Sequence, residues 1–392
     1  MTRKTTRNPS GGGTLRKRPD GRWEARCTLG VDPKTGKQRQ KSVYGRTQRE
    51  ARQKLSQIVA ELDAGTYHEP CKMTLGEWLD IWLEDYQSGV KESTAYLYRR
   101  QAELYLRPAL GKFRLEQLDA HTIQHLYNQL AKGGPDKDPL SPKTIKNIHG
   151  VLHKALQQAV LLNYIRFNPT SACTLPRAVK KEIHPMNDQQ TAQFLERIQG
   201  NPYELLLKVD LFTGLREGEL LGLPWDCVDF ERGTILVRQQ LRREQRKGGQ
   251  YYITQPKNNK SRRLMPAPYV MNLLRMQKAR QAQQRLLAGP AWQDSGLVFT
   301  NEFGRYASYR AVYDSFKRIV RQIGLPDLRI HDLRHTYAVN AIRAGDDIKT
   351  VQSNLGHATA AFTLDVYGHF TDDMRRDSSQ RMEKFISGLM TR

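Results

Sequence analysis

The amino-acid sequence predicts a multidomain α+β protein with three parts: a small three-stranded sheet plus a helix, an all-α helical bundle, and a mainly α domain with a small antiparallel sheet. Apolar residues alternate with polar ones near the N-terminus, recur at helical spacing between about residues 74 and 167, and follow a mixed pattern after residue 185. We place the domains at residues 1–65, 74–170 and 185–392.

The first domain is predicted from three strand-like segments, TLRKR, RWEARCTLG and KQRQKSVY, which are separated by turn sequences rich in glycine, proline and aspartate. Alternate residues of the second segment form an apolar and a mostly polar face: Trp23, Ala25, Cys27 and Leu29 against Arg22, Glu24, Arg26 and Thr28. A helix that begins at Thr47 has an apolar stripe that can cover the apolar face.

The chain is strongly basic, with a formal net charge of +23, and nucleic acid is the simplest polyanionic partner. Its first sixty residues hold 16 Lys and Arg against 4 Asp and Glu, a net charge of +12. Because a β-ribbon fits the major groove, we predict that the polar sheet face binds double-stranded DNA. The candidate DNA-binding residues of this face are Arg16, Arg18, Arg22 and Arg26. The alternatives are a solvated basic face that only raises solubility, and a basic protein of membrane surfaces.

The second domain is predicted to contain four helices. Their predicted starts are Thr74, Ser93 or Thr94, Ala120, and Ser141 followed by Pro142. The second helix has Tyr96, Leu97 and Leu104 as its apolar residues. Lys143 and Lys146 on the fourth helix are candidate DNA-binding residues, and the alternative is a bundle whose basic residues are merely solvated.

The third domain is predicted to begin with a helix capped by Asn187 or Asp188. An apolar helix over residues 205–212 leads into TGLREGEL, where Gly214 permits a tight turn that places Arg216 at the start of another helix. TILVRQQL, QYYITQP and SRRLMP are predicted strands of one small sheet. A short strand over residues 297–300 and a helix over residues 308–323 follow.

Residues suited to phosphate chemistry are concentrated in the segment 329–369, RIHDLRHTYAVNAIRAGDDIKTVQSNLGHATAAFTLDVYGH. His331 and Arg334 share one face of a predicted helix, His357 follows a second short helix, and Tyr367 lies in the last turn of a third. Arginine grips phosphate with a planar fork of donors, and histidine donates hydrogen bonds or moves protons near neutral pH. A tyrosine hydroxyl can attack phosphorus and hold it covalently.

This pattern resembles the C-terminal signature of the tyrosine recombinase, or phage integrase, family: HDLRH, then LGH, then Tyr367 ten residues after His357. The family also has an arginine in a T-G-x-R-x-x-E motif, which is matched here by Arg216 and Glu219. The resemblance covers the C-terminal half of the chain. The first two domains resemble the arm-binding and core-binding domains of integrases from phages and conjugative transposons.

The family's remaining basic residue is a lysine on a β-hairpin between the two arginines. In QPKNNKSRR we assign it to Lys257, because this lysine directly follows Pro256, while Lys260 and Arg263 are close competitors. Glu219 is expected to be a structural partner of a neighbouring arginine or backbone group.

The resemblance implies a site-specific DNA recombinase with six catalytic residues: Arg216, Lys257, His331, Arg334, His357 and the nucleophile Tyr367. In that mechanism the tyrosine forms a 3′-phosphotyrosine, the two arginines stabilise charge on the phosphorus, the lysine protonates the 5′-oxygen, and the histidines assist. The sequence contains no metal-ligand cluster, so we expect no metal and no other cofactor.

The sequence has no run of about 18 apolar residues and no apolar segment after its first basic residues, so we expect neither a membrane span nor a signal peptide. Its four cysteines lack metal-ligand spacing and are expected to be reduced. We therefore expect a cytoplasmic protein, and the resemblance implies a bacterial, nucleoid-associated one. The partners that the resemblance implies are core and arm attachment sites in double-stranded DNA, copies of this chain in a homo-tetramer, an excisionase and a host DNA-bending protein.

Two alternatives use the same scaffold. One is an enzyme that resolves chromosome or plasmid dimers, or a type IB topoisomerase, and the basic first domain argues against it. The other is a catalytically inactive DNA-binding protein, and the complete set of six residues argues against that.

Overall fold

The structure is a computed structural model that describes residues 13–31, 36–64, 67, 71–134, 138–178, 184–244, 248–256, 260–357, 359, 361, 364, 379, 382–383 and 385–390. The chain divides into two compact units, residues 1–179 and 180–392. The predicted fold class is confirmed, because a three-stranded antiparallel sheet is followed by helices and then by a mainly helical region with small sheets.

The N-terminal sheet consists of β1 (Thr14–Lys17), β2 (Trp23–Val31) and β3 (Gln38–Gly45), paired antiparallel in that order. Helix α1 (Gln48–Asp63) begins after Thr47, whose hydroxyl accepts a hydrogen bond from the backbone N–H of Glu50, as the N-cap prediction requires. The helix packs on the apolar face of the sheet, and the two elements bury a small core of Ala25, Cys27, Ala51 and Leu55.

Two positions of β2 differ from the simple alternation of apolar and polar residues. Glu24 lies on the polar face but is only 3% exposed, because the long side chains of Arg16 and Arg26 lie against its carboxylate. Trp23 lies on the apolar face but is only half-buried. Ion pairing therefore buries a charged residue here more completely than packing buries the tryptophan.

The rest of the first unit is a helical bundle around its own apolar core. Its helices are α2 (Leu75–Asp85), α3 (Glu92–Gln101), α4 (Arg107–Leu110), α5 (Ala120–Lys132) and α6 (Pro142–Leu161). The predicted caps at Thr74 and Ser141 are present, and each accepts a hydrogen bond from a backbone N–H of the first turn.

The second helix of the bundle corrects the sequence analysis. It begins at Glu92 after Lys91, so Ser93 and Thr94 lie inside the first turn and do not cap it. The predicted apolar residues Tyr96, Leu97 and Leu104 are exposed, whereas Ala102 and Leu106 are buried. Residues 102–106 form a π-helical segment between α3 and α4, and such a segment shifts the phase of a helix, so ordinary helical spacing does not give its buried face.

The second unit is mainly helical. Its helices are α7 (Asp188–Arg197), α8 (Glu204–Thr213), α9 (Glu217–Leu221), α10 (Pro268–Ala288), α11 (Tyr309–Gln322), α12 (Ile330–Arg343) and α13 (Ile348–Leu355). One large apolar core unites most of these helices with the sheet residues, and a smaller cluster joins α12 to α13. The helices predicted to carry Arg216 and Arg334 are therefore built on a packed core.

Among the described residues, the strands of this unit form two small sheets and not the single predicted sheet. These strands are β4 (Val228–Asp229), β5 (Thr234–Val237), β6 (Gln240–Arg243), β7 (Tyr251–Thr254) and β8 (Arg262–Leu264). The order β4-β5-β8 makes one sheet and β6-β7 the other, because the predicted strand TILVRQQL is interrupted at Arg238 and Gln239. The predicted strand over residues 297–300 is wrong, since that segment makes only isolated bridges.

Candidate active site

The turn after α8 places Arg216 at the start of α9. Gly214 has φ +61° and ψ 26°, in the left-handed region that glycine adopts without strain. A Cβ atom at this position would lie 2.4 Å from Cδ1 of Tyr337, so the turn has no room for a side chain. The close approach of α12 explains why this motif requires glycine before its arginine.

Glu219 is the centre of a buried ion-pair network. Its carboxylate accepts hydrogen bonds from Nη1 of Arg216 at 2.7 Å and from the backbone N–H of Arg216 at 3.0 Å. It also accepts two from Arg262 on β8, at 3.0 Å and 2.6 Å. Burial alone would raise the pKa of Glu219, but the hydrogen bonds and charges of Arg262 and Arg216 lower it to about 2. The structural role expected of Glu219 is thus the contact that we observe.

Arg334 is a buried cation on α12, with 2% of its surface exposed. Its Nη1 donates to the carbonyl of Gly214 at 2.6 Å, and its Nη2 donates to the carbonyl of Leu355 at 2.5 Å. A single guanidinium therefore connects the turn before Arg216 to the last residue of α13.

Two further arginines, Arg216 and Arg262, hold the end of α13 by hydrogen bonds to its backbone. Gly356 has φ +63°, and its carbonyl accepts a hydrogen bond from Nη2 of Arg216 at 3.0 Å. Arg262 donates from Nε to the carbonyl of Asn354 at 2.8 Å, and a Cβ atom on Gly356 would lie 3.0 Å from the Arg262 side chain. These contacts fix the segment that leads directly into His357.

Together these elements line an open cleft of about 370 Å³. Its walls include three cationic side chains and a histidine: Arg216, Lys260, Arg262 and His357. Pro256, Ser261, Gln352, Ser353 and Gly356 complete the lining. Such a cluster of cations suits an anionic group such as a phosphodiester.

The histidines of the site favour their neutral form. Burial, followed by the charges of Arg334 and Arg216, lowers the pKa of His357 to about 3. Burial and the neighbouring His331 lower the pKa of His335 to about 4, and the rings of these two histidines meet edge-on at 5.1 Å. Burial and the charge of Arg334 also lower the pKa of His331. Neutral imidazoles can donate one hydrogen bond and accept another.

The structure brings four of the six predicted catalytic residues into this region. Arg216 and His357 line the cleft, while Arg334 lies behind both turns, and His331 precedes it by one helical turn. Lys257 and Tyr367 lie outside the described residues, as does most of the helix predicted to follow Thr359.

Sequence reasoning gave no role to Arg262, which the structure places both in the cleft and on Glu219. The available signal was an arginine on a short strand directly after the lysine-bearing hairpin. That signal was weak, because the sequence does not distinguish Arg262 from the adjacent Arg263, which is exposed in the structure.

The predicted DNA-binding arginines of the N-terminal sheet are paired with carboxylates. Arg16 and Arg26 contact Glu24, and Arg22 and Arg18 contact Asp20. The side chains of all four remain more than a third exposed. The predicted lysines of α6, Lys143 and Lys146, are also exposed.

Within the described residues, no group of three or more His, Cys, Asp or Glu side chains is placed to hold a metal ion. In that same part of the chain, no helix is long and apolar enough to span a bilayer.

Comparison with known families finds matches in two parts of the chain. Residues 181–374 match the phage integrase family, and residues 74–131 match the N-terminal SAM-like domain of phage integrases. The chain belongs to the phage integrase family. It is a tyrosine-type site-specific recombinase of the integrase type, and the predictions of family and enzyme class are confirmed.

Curated relatives align along nearly the whole recombinase. A tyrosine recombinase XerC-like protein of Caldanaerobacter subterraneus subsp. tengcongensis is 29% identical over 88% of this chain and 92% of that protein. The ICEBs1 integrase of Bacillus subtilis is 22% identical over 95% of this chain and 100% of that protein.

Solved structures share the fold. The Tn1549 transposon integrase in complex with circular intermediate DNA aligns with a TM-score of 0.65 and 25% identity, over 78% of this chain and 99% of that one. A lambda integrase dimer bound to a core site aligns with a TM-score of 0.55 and 20% identity, over 94% and 97% of the two chains.

Proposed function

We propose that this recombinase integrates and excises a mobile element by cutting double-stranded DNA with Tyr367 and rejoining it from a 3′-phosphotyrosine. The observation that carries the proposal is the hydrogen bond from Arg216 to the carbonyl of Gly356, which joins the two family motifs at one cationic cleft. Tyr367 follows that second motif by ten residues.

The two arginines stabilise the additional charge that develops on the scissile phosphate as the tyrosine attacks. Arg216 is already turned towards the cleft by Glu219, which also holds Arg262. Arg334 acts from behind the two turns, where its hydrogen bonds to the carbonyls of Gly214 and Leu355 fix its guanidinium before DNA binds. Such preorganisation matters because donors that are already in place need no rearrangement in the transition state.

Lys257 protonates the departing 5′-oxygen. This role is supported by Pro256 and Lys260, which lie on either side of Lys257 in the sequence and both line the cleft. His357 donates a hydrogen bond to the phosphate, and His331 assists proton transfer at Tyr367. The phosphotyrosine retains the energy of the broken phosphodiester bond, so the 5′-hydroxyl can reverse the reaction without ATP.

The three predicted domains divide the recognition of DNA. Residues 1–65 bind arm-type sites through the arginines of the sheet, residues 74–170 bind the core site with Lys143 and Lys146, and residues 185–392 carry out catalysis. An excisionase and a host DNA-bending protein set the direction of the reaction on the bacterial nucleoid.

Four copies act together on two DNA duplexes, and a lambda integrase tetramer bound to a Holliday junction supports this assembly. The exposed apolar residues near the C-terminus support assembly, because their burial needs a partner surface; they are Met382, Phe385, Ile386 and Leu389.

The test is a crossover-site duplex nicked beside the scissile phosphate, so that the released fragment diffuses away and the covalent adduct accumulates. We expect an adduct on the 3′ side and a free 5′-hydroxyl. The double variant Arg16→Ala, Arg26→Ala should form this adduct normally yet fail to recombine full attachment sites. A 5′-linked adduct would contradict the proposed chemistry, and normal recombination by the double variant would contradict arm binding.

A further inference from the structure

Glu24 occupies the middle of the exposed sheet face, where it pairs with Arg16 on β1 and with Tyr44 on β3. One carboxylate oxygen accepts a hydrogen bond from Nε of Arg16 at 2.8 Å and lies 2.7 Å from Nη2 of the same arginine in an ion pair. The other oxygen accepts one from Nη2 of Arg26 at 3.0 Å. One buried carboxylate thus holds two arginines by their guanidinium groups.

Arg26 is fixed from further directions. Its Nε donates to Oγ of Ser42 at 3.1 Å, and its Nη1 donates to Oε1 of Gln40 at 3.4 Å. Nevertheless the Arg26 side chain is 40% exposed and that of Arg16 is 67% exposed. A guanidinium has five N–H donors, so the contacts with described residues leave donors on both arginines for a ligand.

A carboxylate at this position is unfavourable for a surface that binds only phosphates, because it repels them and cancels part of the cationic charge. It is favourable for a surface that reads base edges. Reading guanine requires both donors of an arginine fork to meet O6 and N7 at once, and a fixed fork does so more readily than a mobile one. Hydrogen bonds from Arg16, Ser42 and Arg26 lower the pKa of Glu24 to about 2, so its charge persists at working pH.

We propose that Glu24 is a positioning residue that aligns Arg16 and Arg26, and that each of these arginines reads one guanine in the major groove of the arm-type duplex. This inference rests on the proposed arm-binding function and adds a base preference to it. It commits the sheet to direct base recognition rather than to phosphate contacts alone.

The register sets the spacing of the two guanines. Arg16 is opposite Glu24, and Arg26 lies two residues further along β2, so the two arginines are diagonal neighbours with Cα atoms about 7–8 Å apart. Base pairs are about 3.4 Å apart along the duplex, so the guanines should be separated by about two steps. Replacing either guanine should weaken binding roughly 5- to 150-fold.

The experiment selects ligands for the full-length chain from a randomised duplex library. Duplexes that bind but give no covalent adduct are kept as arm-type ligands. Affinity is then measured for the selected duplex, for versions with each guanine replaced by adenine, and for an unrelated duplex. The variants are Glu24→Gln, Arg16→Lys and Arg26→Lys, with Asp20→Asn as the matched control because Asp20 pairs with Arg22 at the exposed turn.

We expect Glu24→Gln to lose most of the discrimination between the selected and guanine-replaced duplexes while binding the unrelated duplex at least as tightly as before. Each lysine variant keeps the charge but not the fork, so it should lose discrimination at one guanine and bind the unrelated duplex within about twofold of the wild type. Asp20→Asn should keep both preferences. If Glu24→Gln does not fold, as judged by thermal unfolding, the lysine variants decide the question alone.

The inference is overturned if Glu24→Gln strengthens binding to all duplexes equally, or if both lysine variants retain the guanine preferences. Either result would leave arm binding intact, with the arginines contacting phosphates. If the double variant Arg16→Ala, Arg26→Ala binds the selected duplex as tightly as the wild type, the sheet is not the DNA-binding surface. In that case the proposed arm-binding function fails together with the inference.

Discussion

Glu219 accepts two hydrogen bonds from Arg262, at 3.0 Å and 2.6 Å, although the two residues lie on different elements and 43 positions apart. The Glu219 carboxylate also orients Arg216, and Arg262 also donates to the carbonyl of Asn354 at the end of α13. This pair therefore connects both walls of the cleft, and its loss should disturb Arg216 and His357 together.

We predict that Arg262→Met lowers both stability and the rate of DNA cleavage. Removing one partner of a buried ion pair costs up to about 3–5 kcal/mol, and in this variant Glu219 would keep only Arg216 as its ionic partner among the described residues. A small displacement of catalytic groups can reduce the rate roughly 100-fold. Thermal unfolding and single-turnover cleavage of the nicked duplex measure the two effects.

The control for that variant is Arg310→Ala, which breaks the exposed pair with Asp314 on α11. An exposed pair contributes only about 0–1 kcal/mol, so stability and cleavage should change little. If folded Arg262→Met cleaved at the wild-type rate, the ion pair would not position the active site.

The histidines make a prediction about pH. His335 keeps its neutral form in the folded chain until the pH falls to about 4, whereas an unfolded histidine takes up its proton near about 6.5. The contribution of His335 to the free energy of unfolding is therefore complete above about pH 6.5 and is lost as the pH falls towards 4. The charged or titratable neighbours that shift this pKa are His331, Asp332, Arg329 and Arg334.

His335→Gln should therefore lose less thermal stability than the wild type between about pH 7 and pH 4.5. Burial raises the pKa of Glu217 to about 7, which acts in the opposite direction, but this contribution is common to both proteins and cancels in the comparison. His125→Gln, on the exposed side of α5, is the matched control. Identical pH profiles for His335→Gln and the wild type would mean that His335 is not held neutral.

The choice between Lys257 and Lys260 as the general acid can be tested with a leaving group that needs no proton. Lys257→Ala should slow cleavage of the ordinary duplex and be largely rescued by a 5′-bridging phosphorothioate. Arg216→Ala should gain nothing from the sulfur, because that arginine acts on the non-bridging oxygens. Rescue of Lys260→Ala with no rescue of Lys257→Ala would transfer the general-acid role to Lys260, which lines the cleft.

The sequence predicted best where one short segment determines both conformation and chemistry. Gly214 and Gly356 adopt the left-handed conformation and end helices next to Arg216 and His357, so motif and local structure coincide. The apolar face of β2 and the caps at Thr74 and Ser141 follow equally local rules.

Interactions between distant segments were not predictable in the same way. The burial of Glu24 depends on arginines of two strands, and the contact of Arg262 with Glu219 depends on the placement of β8 beside α9. The exposure of Leu104 depends on a π-helical segment that ordinary helical spacing does not reveal. In each case tertiary contacts or an irregular helix overrode a pattern that was correct only locally.

The most direct test of the central claim is to locate the covalent bond to DNA. Wild-type chain should be trapped on the nicked crossover duplex, digested with protease and nuclease, and analysed by mass spectrometry for the nucleotide-bearing peptide. The modified residue should be Tyr367, and Tyr367→Phe should bind the duplex normally and yield no adduct. A normal adduct yield from Tyr367→Phe, or a nucleotide on Tyr337 or Tyr313, would contradict the assignment of Tyr367 as the nucleophile.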